Sequence, residues 1–284
     1  MRKKLIEAQI DEITGAKIYL FLSKVLKGKN SELLKEISKD ETKHYLVIRK
    51  LTNVDVKENK IQILLYKFLY YIFGVIFVVK LMERSEEDAV SMYSEFASEN
   101  EDFKNILEDE ERHEEDLIKL IEEERVYYVS SIVLGLNDAL VEITGTISGL
   151  SSALQDAKTI GVAALITGIA ASLSMAASEY ISKKTDVLSK RNPLKASLYT
   201  FIAYFVVVLL LVLPFFFVKN FIIGFTFSVI FGFLVVLVFS FYVSVIQDSS
   251  FKRTFTEMFS VVIGVVLITF AIGYIARKLF HVNI

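Results

Sequence analysis

The sequence predicts an all-α protein in two parts: a four-helix bundle over residues 1–125, then five membrane-spanning helices over 126–284. Three observations carry that prediction. Hydrophobic residues make up 53% of the chain and the mean hydropathy is +0.47, too apolar for an ordinary soluble domain. The composition also changes along the chain: the first 125 residues are dense in Glu and Lys, and nearly every long apolar run comes after them. Only two prolines occur, Pro193 and Pro214, as suits a chain that is helical almost throughout.

In the first part, residues 4–27 and 31–52 are amphipathic, with Gly28, Asn30 and Ser31 supplying a turn and a cap between them. A polar break at 53–60 follows. A long helical pattern then reaches about Ser98, and a charged helix over 101–125 runs on into the first span. Residues 61–82 are ambiguous. They are apolar enough to be a sixth span, but Lys67 and Lys80 within them equally suit a buried or membrane-surface helix. The N-terminal MRKKLIEAQIDEITG has no apolar core and no cleavage site, so it reads as the start of the mature chain and not as a signal peptide.

In the second part, five stretches reach the roughly 20 residues that a bilayer requires. They cover 127–152, 159–182, 195–218, 220–245 and 257–279. Lys183, Lys184, Lys190, Arg191 and Lys195 lie between spans two and three, and Lys252 and Arg253 between spans four and five. By the positive-inside rule these loops and the N-terminal part are cytosolic, and an odd number of spans leaves the C-terminus outside. A net charge of -2 gives no ground for a nucleic-acid partner, and the absence of Cys excludes disulfides, thiolate metal sites and iron–sulfur clusters.

The chemistry starts with the histidines. Glu41-x-x-His44 and Glu110-x-x-His113 each put a carboxylate and an imidazole on one helical face. Glu12 precedes Tyr19 by seven residues, and Glu86 precedes Tyr93 by seven, so the order Glu…Tyr…Glu-x-x-His occurs twice. Two Glu from two helices plus two Glu-x-x-His pairs from two others form the ligand set of a four-helix di-metal site. The carboxylates offset the charge of two divalent ions, and the imidazoles favour iron or manganese over calcium or magnesium. On the third helix Glu83 and Glu87 lie a turn or less from Glu86 and remain alternatives.

These residues resemble the ferritin-like superfamily, in particular its rubrerythrin-type members. That resemblance implies a di-iron or other di-metal centre on Glu12, Glu41, His44, Glu86, Glu110 and His113. It also decides the ambiguous segment: were 61–82 to cross the bilayer, the first three ligands and the last three would lie on opposite sides.

Within the spans, Asp138 and Glu142 are one turn apart in GLNDALVEITG, and Met175 and Glu179 are one turn apart in SMAASEYIS. Ionisable groups at such depth are costly and mark conduction paths; a thioether beside a carboxylate suits Fe²⁺ better than magnesium. Gly145, Gly149 and Ala153 form a small-residue stripe suited to close helix packing. The two motifs resemble those of the vacuolar iron transporter family, five-span homodimers that move Fe²⁺, sometimes Mn²⁺, out of the cytosol in exchange for protons. The resemblance gives Asp138, Met175 and Glu179 path-lining roles, and spacing adds Glu142. The chain departs from the plant-type members in having no metal-binding insert between spans two and three, which leaves metal collection to the N-terminal bundle and implies a cell-membrane exporter. The competing reading is a membrane-anchored di-iron oxidase or peroxidase.

Overall fold

The structure, a computed structural model, describes residues 2–97, 100–121, 126–186 and 192–280, and among these it contains helices and no strand. The chain divides into two compact units, Met1–Glu123 and Glu124–Ile284. The junction between them and the basic residues Lys190 and Arg191 lie outside the described residues.

The first unit is a bundle of α1 (Arg2–Val25), α2 (Lys29–Thr52), α3 (Lys60–Ala97) and α4 (Glu101–Ile121). Asn53 ends α2 in the left-handed region at φ 52°, its N–H donating to the Arg49 carbonyl. The helices pair α1 with α2 and α3 with α4, and contacts of α1 with α3 and α2 with α4 close the ring. Ala8, Ile48, Tyr93, Phe103 and Ile106, from all four helices, form a shared apolar core. Burial of such faces, more than helix propensity, holds helices of this length in place.

Helix α3 answers the question left open by the sequence. Among the described residues five helices are long and apolar enough to cross a membrane, as expected in number, but Lys60–Ser91 is one of them and the predicted first span is not. Gly74 breaks α3, with φ 85° and ψ 178°, a backbone conformation open to glycine and strained for other residues. The half before it, residues 60–73, is about 21 Å long, short of the roughly 30 Å hydrocarbon core. The half after it carries Val75, Ile76, Phe77, Val78 and Val79, all buried inside the bundle, and then turns charged at Glu83 and Arg84. Its apolar residues serve a protein core.

The second unit comprises α5 (Val126–Leu154), α6 (Ala157–Thr185), α7 (Pro193–Val212), α8 (Pro214–Phe217), α9 (Phe221–Ile246) and α10 (Phe251–Phe280). Asp156, Asn192 and Asn220 cap α6, α7 and α9, their side chains accepting from backbone N–H groups of the first turn. Pro214 divides the predicted third span into α7 and the single turn α8. α10 begins at Phe251, so Lys252 and Arg253, expected in a loop, lie in its first turn.

α5 packs against α6, α7, α9 and α10. Of its polar residues Asp138 is half-buried, whereas Asn137 and Glu142 are exposed. Its small-residue stripe is used within the chain. A methyl on Gly145 would come 2.7 Å from Val265 Cγ1, and one on Gly149 would come 3.3 Å from the Thr269 carbonyl oxygen. Ser148 and Ser152 donate to the Val266 and Phe270 carbonyls of α10 along the same seam.

Candidate metal centre

Helices α1, α2 and α4 point acid and base groups at one place in the bundle. Ligand atoms of Glu12 (α1), Glu41 and His44 (α2), and Glu110 (α4) all lie within 4.8 Å of one another. His44 Nδ1 is 3.3 Å from Glu12 Oε2 and 3.1 Å from Glu110 Oε1. His113 Nδ1 is 3.5 Å from Glu41 Oε1 and 3.6 Å from Glu110 Oε2. Glu110 thus stands between the two imidazoles, whose rings are 6.0 Å apart. The structure brings together five of the six ligands expected of the bundle. The side chain of the sixth, Glu86, lies outside the described residues, and Glu83, one turn earlier, has a buried carboxylate oxygen.

The donor set fits a di-metal centre. Glu12 Oε2, His44 Nδ1 and His113 Nδ1 are buried and close to one another's partners, yet none meets hydrogen-bonding geometry. Buried polar atoms converging without hydrogen bonds are expensive unless an ion accepts their lone pairs. Gly15 leaves room for this convergence: a methyl there would come 3.1 Å from Glu41 Oε2. A cavity of about 180 Å³ adjoins the cluster, lined by Asp11, Glu12, Glu41, Tyr66, Met82 and Glu110 among others.

The outward sides of both imidazoles are held by a set of residues that the spacing of Glu and His did not reveal. His44 Nε2 is 3.4 Å from Asp109 and His113 Nε2 is 3.4 Å from Asp40. Arg112 Nη2 donates to Asp40 at 2.7 Å and lies 2.6 Å from Asp109, and Lys43 donates to Asp40 at 2.6 Å. A carboxylate on the far nitrogen fixes the tautomer of a metal-binding histidine and turns its near nitrogen inward. The signal was present in the sequence as a longer repeat, Asp40-Glu41-x-Lys43-His44 and Asp109-Glu110-x-Arg112-His113. Each Asp serves the histidine of the other helix.

Electrostatics follow from this geometry. Burial opposes charging His44, but Glu110 and Glu12 outweigh it and hold the imidazole up to about 10. Burial likewise opposes ionising Glu110, yet the imidazoles of His113 and His44 beside it bring it down to about 2. Burial raises the Tyr93 phenol well above its ordinary range, reinforced by Glu12, to which its hydroxyl donates at 2.5 Å. Tyr19, the matching residue of the half-repeat, is fully buried on α1.

In the second unit the candidate residues are held one by one. Glu179 is buried; it accepts from Ser131 of α5 at 2.5 Å and lies 3.7 Å from Lys183. Tyr204 of α7 donates to Glu142 at 2.6 Å. Glu142 also borders a groove of about 480 Å³ between α5 and α10. Asp138 and Met175 are half-buried. Ser131 precedes Asp138 by two turns, so Glu179, Asp138 and Glu142 are staggered along α5. Among the described residues, no three of these acids gather as the bundle ligands do.

Comparison with protein families bears on both units. Residues 3–121 match the family model described as Rubrerythrin, and residues 129–188 match that of the VIT family. The chain joins a rubrerythrin domain to a VIT family domain. Neither the curated proteins nor the solved structures gave a match. The rubrerythrin domain implies a di-iron site, and the VIT domain points to metal-ion transport by an integral membrane protein. The VIT match covers α5 and α6 with all four candidate residues, whereas α7–α10 lie beyond it. Tyr204 and Ser131, partners of Glu142 and Glu179, were invisible to sequence reasoning because a lone Tyr or Ser in an apolar helix carries no spacing signal.

Proposed function

We propose that the chain exports divalent iron, with Mn²⁺ as an alternative cargo, from the cytosol in exchange for protons. On this reading Glu12, Glu41, His44, Glu86, Glu110 and His113 hold metal in a cytosolic rubrerythrin domain. Asp138, Glu142, Met175 and Glu179 line the route across the membrane in a homodimer whose C-termini lie outside. The observation that carries this reading is the preformed cluster of Glu12, Glu41, His44 and Glu110 in a chain that also buries Glu179 in an apolar helix. Asp40, Asp109 and Arg112 orient the imidazoles, and Gly15 keeps room for Glu41. In the VIT domain Glu179 and Glu142 each have a hydroxyl neighbour, Ser131 and Tyr204, that can take up the hydrogen bond when a proton or metal leaves. Acids spaced apart along a helix suit a route better than a trap, because an ion must bind weakly enough to leave.

The test is flux into proteoliposomes holding an Fe²⁺-quenched dye under an imposed proton gradient. The wild type quenches the dye faster with the gradient than without it, and Asp138→Ala and Glu179→Ala do not. A chain that moves no metal but consumes O₂ with Fe²⁺ would instead be a membrane-anchored oxidase. The cavity beside the cluster, with room for a small molecule, favours keeping that second reading in view. A pair of irons in the domain would supply redox chemistry toward O₂ or peroxide, with Tyr93 holding Glu12 in place.

A further inference from the structure

Residues 60–73 form a short helix with two unlike faces. Tyr66 and Leu69 turn inward and are buried, and Gln62 and Tyr66 wall the cavity beside the metal cluster. On the other face Ile61, Leu64, Leu65, Phe68, Tyr71 and Ile72 are between 50% and 82% exposed. Their spacing, with steps of three and four, places all six in one continuous stripe. A stripe of six large apolar side chains on the outside of an otherwise Glu- and Lys-rich bundle calls for a partner.

The position of this helix in the bundle indicates which partner. His44 faces Asp109 and Asp40 faces His113, so α4 runs antiparallel to α2, and Ile121 at its end heads toward Lys29 at the start of α2. The chain resumes as helix α5 at Val126. Four residues tie that end of the bundle to α5 along the chain. The same end carries Lys24, Lys27 and Lys29, all exposed around the α1–α2 turn, where Ser31 donates to the Ser23 carbonyl. Phe21 of α1 packs edge-on against Tyr70 and Tyr71, so the end of the apolar stripe lies there too. Lys67 lays its stem along the helix with its ammonium 5.2 Å from the Phe21 ring centre, free to reach upward to headgroups.

We propose that residues 60–73 are an interfacial helix that seats the rubrerythrin domain on the cytosolic leaflet. The apolar stripe enters the boundary between headgroups and acyl chains, Tyr70 and Tyr71 sit at headgroup depth, and Lys24, Lys27 and Lys29 meet anionic lipid. Its length suits lying on a membrane and is too short to cross one. Because its inner face walls the cavity, seating the helix holds the metal cluster close to the membrane surface where the cargo must enter.

The chain has no Cys, so single labels can be placed at will. Leu64→Cys, Phe68→Cys and Tyr71→Cys, with Lys104→Cys and Glu108→Cys at the far end of α4 as controls, would each carry a fluorophore. The full-length protein would sit in nanodiscs of phosphatidylcholine and phosphatidylglycerol containing lipids with a nitroxide near the headgroup. Labels at 64, 68 and 71 lose most of their fluorescence while the controls keep theirs, and a Lys24→Glu/Lys27→Glu/Lys29→Glu background weakens the quenching several-fold. Three results would each overturn the proposal. One is labels at 64, 68 and 71 as water-exposed as the controls. Another is labels shielded from lipid quencher and coupled to those of a second copy, and the last is quenching unmoved by the charge reversal.

Discussion

The two units solve the problem of buried charge in different ways. In the rubrerythrin domain each acid faces basic or hydroxyl groups, several of them from another helix: Glu110 both imidazoles, Asp40 and Asp109 the Arg112 guanidinium, and Glu12 His44 and the Tyr93 hydroxyl. In the VIT domain Glu142 has the Tyr204 hydroxyl, and Glu179 has the Ser131 hydroxyl and a distant Lys183. A cross-braced cluster keeps its shape and holds an ion. Staggered acids with single, rotatable neighbours can exchange one. The contrast separates capture from passage, and it can be broken in either unit.

The largest effect is expected from Glu110→Ala. It removes the group between both histidines and leaves buried bases unpaired, a loss of the size that costs about 3–5 kcal/mol in buried ion pairs. Calorimetric titration with Fe²⁺ under anaerobic conditions should find tight binding abolished. Next, Asp138→Asn and Glu142→Gln should stop flux while leaving that binding intact; a matching loss of binding would mean that the two units share one site. Arg112→Leu should then weaken metal affinity by roughly 10–100-fold, the range seen when residues that orient metal ligands are removed. Smallest of all, Tyr93→Phe should lower the unfolding free energy of the domain by about 1–3 kcal/mol, as expected for a hydrogen bond to a charged group, with metal stoichiometry unchanged.

The pH dependence sharpens the same contrast. His44 is raised from 6.5 to about 10, so its contribution to the stability of the metal-free domain is complete below 6.5 and is lost as pH rises through about 10. Glu110 is lowered from 4.5 to about 2, so its contribution is complete above 4.5 and is lost as pH falls through about 2. Metal must displace the His44 proton, so loading should release protons and strengthen with rising pH. A pH-indicator dye during anaerobic Fe²⁺ addition would read that release, and its absence in His44→Ala would assign it.

Much of this arrangement was written in local pattern. Amphipathic spacing, the polar break before residue 60 and the Glu-x-x-His pairs gave the bundle helices and five of the residues that cluster between them. What pattern could not give depends on tertiary contact. The break at Gly74 looks, in sequence, like a tolerated glycine in an apolar run, and only the buried stretch after it shows that the run belongs to a core. Asp40 and Asp109 sit next to ligands in sequence, but each serves the histidine of the opposite helix, a pairing no single-helix reading contains. That α5 is contacted by α6, α7, α9 and α10 is likewise a tertiary fact that its own sequence does not carry.

The most direct test is to measure bound iron and iron flux on the same preparations of wild type, Glu110→Ala and Asp138→Asn. The account predicts that wild type binds and transports, that Glu110→Ala loses the bound iron of the rubrerythrin domain, and that Asp138→Asn keeps it but transports none. If Asp138→Asn transports as well as wild type, the staggered acids of the VIT domain are not the route and the division between capture and passage is wrong.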